Sequence, residues 1–388
     1  MLMTADTVGG VWQYALQLCR QLVADHGLQV VLATMGSPLR ADQRREAAAL
    51  GGVALHESSF RLEWMEEPWD DVRRAGDWLL SLERQLGADL VHLNQFAFGA
   101  LPFVAPTLLV AHSCVVSWWR AVHGAEPPEP QWRRYRDAVR EGLAGATLVA
   151  APTRTMLASL ATNYGYRGHG VVLPNGRDPE RHPPGRKIAL IVSAGRLWDE
   201  AKNLRALEQV AGDLPWPIEV AGATNRPGAA QSDDPCGGDA RRDDGAHGQR
   251  GPGDRRAPRS VRRLGELPAN RMAERLSAAS IYVHPARYEP FGLAPLEAAL
   301  AGCALVLGDL PSLRETWGEA AVYVPPDDHR ALRAALLSLI ASDARRESMA
   351  RQARAVALRH SAEAMARGYL GAYRRLARTT FEEKRCAS

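Results

Sequence analysis

The stretch RYEPFGLAPLEAALAG, residues 287–302, places two carboxylates around the start of an apolar helix. Its leucines recur at the spacing of one packed helix face, and Pro295 suits the first turn, where a missing N–H costs nothing. Glu289 therefore precedes the helix, and Glu297 lies about one turn inside it. Because backbone amides at a helix start bind anions, the stretch predicts a phosphorylated ligand flanked by carboxylates that accept hydrogen bonds from hydroxyl groups. Taken alone, the pattern is equally compatible with a ligand site and with two acids that bind nothing. In the second case, Glu289 is an ordinary loop carboxylate and Glu297 a solvated helix residue.

The segment SAGRLWDEAKN, residues 193–203, carries the second set of side chains that could bind a ligand or take part in a reaction. Arg196 and Lys202 flank a predicted helix start, and Asp199 is its expected N-cap. Lysine is rare in this chain, since only three of the 48 basic residues are Lys, at positions 187, 202 and 384. Two cations here suit a diphosphate, which they would neutralise without a metal ion. The alternative is that both are solvated surface charges.

Two further positions are candidates for contact with the same ligand. Gly9 and Gly10 form a turn between a first strand and a helix, where the backbone can approach a ligand closely. An ordinary tight turn would use the same pair. His112 ends the strand-like run TLLVAH and would face a cleft from there, although a histidine at a strand end is often structural.

The sequence predicts alternating strands and helices, which would position these candidate residues. Short apolar runs alternate with helical patterns, which is typical of βαβ units and parallel sheets. The predicted strands are 1–5, 28–35, 88–94, 107–113, 146–152 and 170–176, then 187–195, 217–223, 280–285, 303–308 and 320–325, and helices 327–341, 343–358 and 361–378 follow. A segment rich in Pro, Gly and charge separates the halves, so we place the domain boundary near 177–186. Two α/β domains facing a cleft would direct the loops after their strands towards the ligand.

Residues 223–260 break this alternation. They contain no Val, Ile, Leu, Met, Phe, Trp or Tyr, and such a segment cannot bury enough apolar surface to order itself. It is either an inserted disordered loop or a locally frameshifted reading of GC-rich coding DNA, and the apparent loss of one strand favours the second explanation. In both cases we expect a mobile, protease-sensitive segment that is not an active site.

The composition limits the class of protein. A length of 388 residues with 46% hydrophobic content suits two domains with sizeable cores. No apolar run is long enough to span a membrane, and the chain opens on MLMTADTVGG without the pattern of a signal peptide. The five cysteines (19, 114, 236, 303 and 386) are scattered without a C-x-x-C pair, which indicates a reduced, cytoplasmic protein without a zinc site. The net charge of +4 gives no case for nucleic-acid binding.

The stretch EPFGLAPLEAALAGCALV resembles the E-x7-E signature of glycosyltransferase family 4, whose members are retaining glycosyltransferases of the GT-B fold. The resemblance extends over nearly the whole chain, except for residues 223–260. It includes the glycine turn, VAHS at 110–113, APT at 151–153, PNGRD at 174–178 and the segment SAGRLWDEAKN.

The resemblance implies an α/β fold of two Rossmann-like domains facing a central cleft. Residues 1–180 would bind the acceptor, residues 181–360 would bind the nucleotide-sugar donor, and residues 361–388 would cross back to the first domain. The implied reaction moves a sugar from a UDP- or GDP-sugar to a hydroxyl of a glycan, lipid or small molecule, with retention of configuration and without a metal or other cofactor. Polysaccharide biosynthesis is the implied setting.

The resemblance also implies roles for the donor-domain residues. Glu297 would hold the ribose hydroxyls, and Glu289 would contact hydroxyls of the donor sugar. Arg196 and Lys202 would stabilise the nucleoside diphosphate leaving group. The backbone amides near the phosphates and sugar would be those of Phe291, Gly292 and Leu293.

In the first domain, the resemblance places His112 beside the transferred sugar. Gly10, with Gly9 before it, would approach the donor from the acceptor side. The acceptor itself is not identified by these motifs.

Several other classes of protein would carry different motifs. A nicotinamide oxidoreductase would have G-x-G-x-x-G after the first strand, a metal-dependent GT-A transferase would have an Asp-x-Asp pair, and a serine hydrolase would have G-x-S-x-G. None of the three patterns occurs. A non-catalytic sugar-nucleotide-binding protein and a nucleotide-sugar epimerase of GT-B fold remain as alternatives, because donor-binding residues need not transfer a sugar.

A weak peripheral membrane contact is a further hypothesis. Residues 117–143 place tryptophans beside clustered arginines, a combination that can meet an anionic bilayer and a lipid-linked acceptor. A solvated helix with buried tryptophans explains the same pattern.

Overall fold

The computed structural model describes residues 1–225 and 260–386, with side chains up to residue 378. The expectations for the irregular segment 223–260 fall almost entirely on residues outside this description. No helix in the described ranges is both long enough and apolar enough to cross a membrane.

Short, mostly buried strands build the described part of the chain. They are β1 (Leu2–Asp6), β2 (Val30–Met35), β3 (Val53–Glu57), β4 (Val91–Leu93), β5 (Thr107–Val110), β6 (Leu148–Ala151), β7 (Gly170–Val172), β8 (Ile188–Ala194), β9 (Ile218–Ala221), β10 (Arg262–Gly265), β11 (Ala279–His284), β12 (Ala304–Gly308) and β13 (Val322–Val324).

Helices alternate with these strands. They are α1 (Gly10–His26), α2 (Ala41–Ala48), α3 (Trp69–Leu86), α4 (Val115–His123), α5 (Arg133–Gly145), α6 (Arg154–Tyr164), α7 (Leu204–Ala211), α8 (Ala269–Ala278), α9 (Leu293–Leu300), α10 (Pro311–Trp317), α11 (His329–Ile340), α12 (Asp343–Ala357) and α13 (Ala362–Cys386). Short 3-10 helices span Phe96–Ala100, Pro179–Arg181 and Glu200–Lys202.

The strands form two wholly parallel sheets. Within the described residues, the first has seven strands in the order β3-β2-β1-β4-β5-β6-β7, and the second has six in the order β10-β9-β8-β11-β12-β13. Helices cover both faces of such sheets, which is why the central strands are continuous apolar runs. The predicted α/β architecture with two parallel sheets is confirmed.

Two strands were missed by the sequence patterns, β3 and β10. Both are edge strands, and their sequences, VALHE and RRLG, lack a continuous apolar run because part of each remains exposed. β10 begins directly after the irregular segment and pairs with β9. It therefore continues the alternation beyond the irregular segment.

The last helix, α13, packs against α1 in the first domain. Its aromatic side chains Tyr369 and Tyr373 are buried there, and Tyr369 is fully enclosed. The hydroxyl of Tyr373 lies 2.7 Å from Nδ1 of His92, and the hydroxyl of Tyr14 lies 3.2 Å from Nε2 of the same ring. These polar contacts inside an apolar core fix the position of the returning helix.

The chain crosses between the domains twice, and the two crossings lie side by side. The backbone N–H of Arg177 donates to the carbonyl of His360 (3.0 Å), and the N–H of Ala362 donates to the carbonyl of Arg177 (3.0 Å). A side chain at Gly176 would collide with the carbonyl oxygen of Ser361. The close approach of the two crossings therefore requires glycine at this position.

Alanine substitutions at two helix glycines, Gly142 and Gly371, measure how tightly the helices around the first sheet are packed. In α5, a methyl group on Gly142 would collide with the carbonyl of Phe96, whereas on α13 Gly371 has open space around it. We expect Gly142→Ala to destabilise the protein by about 1–3 kcal/mol, the usual effect of overpacking. Gly371→Ala is the matched control and should raise stability by up to about 1 kcal/mol, because alanine favours helix. Urea unfolding followed by circular dichroism measures both, and equal stability of the two variants would contradict the packing.

Candidate active site

The carboxyl ends of the two sheets face each other across a cleft. Gly9, after β1, lies so close to Arg196, after β8, that a methyl group on this glycine would be 3.3 Å from the guanidinium Nη1. A methyl group on Gly10 would be 3.5 Å from Cδ1 of Leu293. Gly9 also has a φ of 77°, which favours glycine. The predicted glycine turn and the predicted donor segments therefore meet.

Arg196 and Lys202 project from the loop after β8. The predicted N-cap, Asp199, accepts a hydrogen bond from the N–H of Ala201 at the start of the short 3-10 helix (3.0 Å). Its carboxylate also accepts from Nη2 of Arg196 (2.7 Å) and, across the cleft, from Nε1 of Trp118 (2.9 Å). Burial raises the pKa of Asp199, but the neighbouring cations Arg196 and Lys202 outweigh burial and hold that pKa below its ordinary value. An ionised Asp199 thus orients Arg196.

Glu289 is half-buried and paired in this structure. One of its oxygens, Oε2, lies 2.8 Å from Nζ of Lys202 and 3.2 Å from Nε2 of His284. Burial raises the pKa of Glu289, but the Lys202 ammonium and the hydrogen bond with His284 lower it by a larger amount. The net pKa therefore lies well below the ordinary value. Burial also lowers the pKa of His284. Lys202 has three N–H donors, so contact with Glu289 leaves donors for an anion.

The helix predicted after Glu289 is α9. Its N-cap, Gly292, has a φ of 93°, which favours glycine, and Phe291 is buried in the core beside it. The first turn, from Leu293, contains Pro295 as predicted, and the first amides of a helix have no partner within it. Glu297 lies one turn inside, as predicted.

Glu297 has a partner that no sequence pattern indicated. Its Oε1 lies 2.6 Å from Nε of Arg177, in the segment that joins the domains. The two residues are far apart in the chain, so spacing gives no signal of the pair. The predicted ribose carboxylate is therefore already held by a cation.

His112 lies at the carboxyl end of β5, half-buried at the cleft. Its Nε2 is 2.7 Å from Oδ1 of Asn94, whose amide nitrogen is oriented by the carbonyl of Thr4 (2.5 Å). Because the Asn94 oxygen must accept, Nε2 of His112 donates and Nδ1 is an acceptor. Burial lowers the pKa of His112 to about 3, so the ring is neutral at physiological pH.

Asp6, at the carboxyl end of β1, was not singled out from the sequence, although an acid that ends a buried strand is a signal. It accepts a hydrogen bond from Nε2 of Gln95. Burial raises the pKa of Asp6 to about 7, and hydrogen bonds from Gln95 and Trp64 and the charge of Arg196 only partly offset it. Glu63, whose pKa burial also raises to about 7, caps the 3-10 helix through the amides of Phe96 and Ala97 (3.1 and 2.7 Å).

The tryptophans of the proposed membrane segment have other partners. Trp118 donates across the cleft to Asp199, and Trp119 packs on Trp132. The arginines around them form ion pairs: Arg120 and Arg136 with Glu126, and Arg133 with Glu129. Membrane contact at this segment stays a prediction.

The cleft thus unites most of the candidate residues. Gly9, Gly10, Arg196, Lys202 and the start of α9 meet there. Within residues 1–225 and 260–386, no group of three or more His, Cys, Asp and Glu side chains forms a set that could hold a metal ion.

Two family models match the chain. Residues 8–181 match Glycosyltransferase Family 4, and residues 254–356 match Glycosyl transferases group 1. The resemblance inferred from the motifs is confirmed.

Curated relatives match part of the chain. The O-antigen chain mannosyltransferase B of Escherichia coli is 36% identical over 87 residues, which are 22% of this chain and 23% of the relative. The glycogen synthase of Mycobacterium tuberculosis is 38% identical over 101 residues, which are 26% of this chain and 24% of the relative. The matched part therefore spans about a quarter of each relative's length.

Solved structures match over nearly the full length. Sucrose-phosphate synthase from Thermosynechococcus elongatus has a TM-score of 0.75 at 18% identity, covering 97% of this chain and 98% of that one. Anabaena HepE in complex with UDP and glucose has a TM-score of 0.69 at 13% identity, covering 96% and 98%. The glycosyltransferase WaaG, of lipopolysaccharide biosynthesis, has a TM-score of 0.67 at 14% identity, covering 95% and 98%. These likenesses establish the GT-B fold.

Replacing Asp6 with Asn tests the burial of its carboxyl group. The folded protein raises the pKa of Asp6 from 3.8 to about 7, so it holds this proton more tightly than the unfolded chain does. The stabilising contribution is complete below about pH 4 and is lost as the pH rises through about 7. We therefore expect the free energy of unfolding of wild type to fall relative to that of D6N between these pH values. Urea titrations across that range measure the difference, and a difference that does not change with pH would contradict the assignment.

Proposed function

Since the chain belongs to glycosyltransferase family 4, we propose that it transfers a sugar from a nucleotide-sugar donor to a hydroxyl group of an acceptor. The observation that carries this proposal is the convergence of Arg196 and Lys202 with the first amides of α9, directly opposite Gly9. Cations and helix-start amides together form a site for a diphosphate. The glycine turn leaves room for it on the other side.

The donor's diphosphate would lie between Arg196 and Lys202. Both cations have carboxylate neighbours, Asp199 and Glu289, whose ion pairs hold the two side chains in place. In a cleft of low dielectric, fixed cations stabilise the negative charge that develops on a departing diphosphate. We propose that they do so without a metal ion. UDP is the nucleotide to test first, because the structure of HepE contains it, and GDP is the second.

The transferred sugar would lie between Glu289 and His112. Glu289, ionised and held by Lys202 and His284, would accept hydrogen bonds from sugar hydroxyls. His112, neutral with Nδ1 as an acceptor, would contact the sugar from the first domain. Glu297, one turn further along α9, would accept from the ribose.

We propose that the reaction retains the anomeric configuration without a covalent sugar–enzyme intermediate. Oε2 of Glu289 is hydrogen-bonded to Lys202 and His284. Because these bonds stabilise its negative charge, the carboxylate is a poor nucleophile. The acceptor oxygen bonds to the anomeric carbon as the bond to the diphosphate oxygen breaks. The diphosphate leaves with that electron pair, and its oxygen takes the acceptor proton.

Replacing either phosphate-site cation should slow transfer steeply. We expect Arg196→Met or Lys202→Met to lower kcat by about 10²–10³, the usual effect of losing one charge-stabilising group. The donor is first chosen by thermal shift with UDP- and GDP-sugars, and diphosphate release is then measured with a panel of acceptors. Arg271→Met is the control, because this exposed residue forms an ion pair with Glu274 on its own helix α8 and should leave the rate unchanged.

The same assay tests the metal-free reaction and the alternatives. Activity should persist in EDTA, and dependence on Mg²⁺ or Mn²⁺ would refute the metal-free proposal. Tight donor binding without transfer to any acceptor would favour a non-catalytic binding protein. Conversion of the donor into its epimer would favour an epimerase of the same fold.

Glu297 and Glu289 should contact different parts of the donor, the ribose and the transferred sugar respectively. Glu297→Gln should weaken binding of the free nucleoside diphosphate, because a hydrogen bond to a charged group contributes roughly 1.5–3 kcal/mol. Glu289→Gln should leave diphosphate affinity nearly unchanged while lowering turnover, because its partner is the sugar. Glutamine is preferred to alanine, since removal of the side chain would leave a buried cation unpaired. Calorimetry with UDP and GDP, compared with transfer rates, separates the roles, and equal loss of diphosphate affinity in both variants would refute the division.

A further inference from the structure

Arg177 lies in the first crossing between the domains, at the position PNGRD. It is only 5% exposed, although arginine is almost never buried unless it is paired. We infer that Arg177 is a positioning residue, which holds Glu297 for the donor's ribose and links nucleotide binding to the junction between the domains. This inference rests on the proposed function.

The contacts of the Arg177 side chain reach both domains. Its Nε donates to Oε1 of Glu297 on α9 at 2.6 Å, and its Nη1 lies 3.4 Å from the carbonyl oxygen of Gln13 on α1. Arg177 is thus the bridge from a helix of the first domain to the proposed ribose carboxylate of the second. A planar guanidinium makes such a bridge in a fixed geometry, whereas a lysine ammonium does not.

The backbone of Arg177 is held as firmly as its side chain. Its N–H and C=O bond to His360 and Ala362 in the returning crossing. These bonds attach Arg177 to the returning crossing, whereas Glu297 is carried by α9. The distance between the guanidinium and the carboxylate then depends on the domain arrangement.

The pair leaves Glu297 suited to a ligand. Oε1 is occupied by Arg177, while no hydrogen bond to Oε2 is found within the described residues. A carboxylate has acceptor sites on both oxygens, so Oε2 is open to a ribose hydroxyl. Arg177 also places a positive charge directly beside the carboxylate of Glu297 in this partly buried site.

A purely structural role for the ion pair would be to fasten the domains together. Such a role predicts lower stability when Arg177 is replaced, without a specific change in nucleotide affinity. A positioning role predicts weaker nucleotide binding that disappears once Glu297 is also replaced. The two roles therefore differ in a double-mutant cycle.

The experiment measures the affinity of UDP and of GDP by calorimetry for wild type, Arg177→Met, Glu297→Gln and the double variant. We expect R177M to weaken binding of the preferred diphosphate about tenfold, within the range of couplings between residues in one ion-pair network. In the E297Q background, R177M should have no further effect. Arg181→Met is the matched control, because this neighbouring arginine is exposed and forms its ion pair with Asp178, not with Glu297.

Arg177→Lys gives a second measurement if R177M is too unstable to purify. It keeps a cation in the fold but loses the Nε contact, so UDP or GDP affinity should still fall by several-fold while the melting temperature changes little. Wild-type affinity in both folded Arg177 variants would overturn the inference, as would an equal loss with and without Glu297. If wild type binds neither UDP nor GDP, the proposed function fails and this inference with it. Loss of affinity in E297Q alone refutes only the role of Arg177.

Discussion

Every strand in both sheets runs parallel to its neighbours, and this constraint determines where chemistry can occur. Parallel strands require a crossover after each strand, so all the loops that follow strands emerge at one edge of each sheet. The two edges face each other, which brings the turn after β1 to within contact distance of the loops after β8 and β11. Gly9 has a φ of 77°, which favours glycine at this turn. The cleft is thus a consequence of chain direction.

The donor side of the cleft is built from paired charges. Arg196 is held by Asp199, and Lys202 by Glu289. Burial alone would push such carboxylates towards the neutral form, but the adjacent cations keep them ionised. A bound diphosphate would share cations that are already paired and oriented, so little reorganisation accompanies its binding.

The first domain presents a different electrostatic surface to the same cleft. His112 is neutral, and burial brings the pKa of Asp6 to about 7. Charge is therefore concentrated on the side that would hold the nucleotide, while the side that would receive an acceptor carries groups that are neutral or close to neutrality. Trp118 connects the two, since it belongs to the first domain and donates to Asp199 in the second.

The sequence by itself determined the parallel α/β architecture, because buried strands of such sheets are continuous apolar runs that alternate with helical patterns. It also determined the helix start between Glu289 and Glu297, since proline, glycine and leucine spacing act locally. The sequence did not predict the edge strands β3 and β10, because half-exposed strands lack a continuous apolar run. Only the tertiary structure paired Glu297 with Arg177, because an ion pair between residues far apart in the chain depends on how the two domains and their crossings pack, and no local spacing encodes that distance.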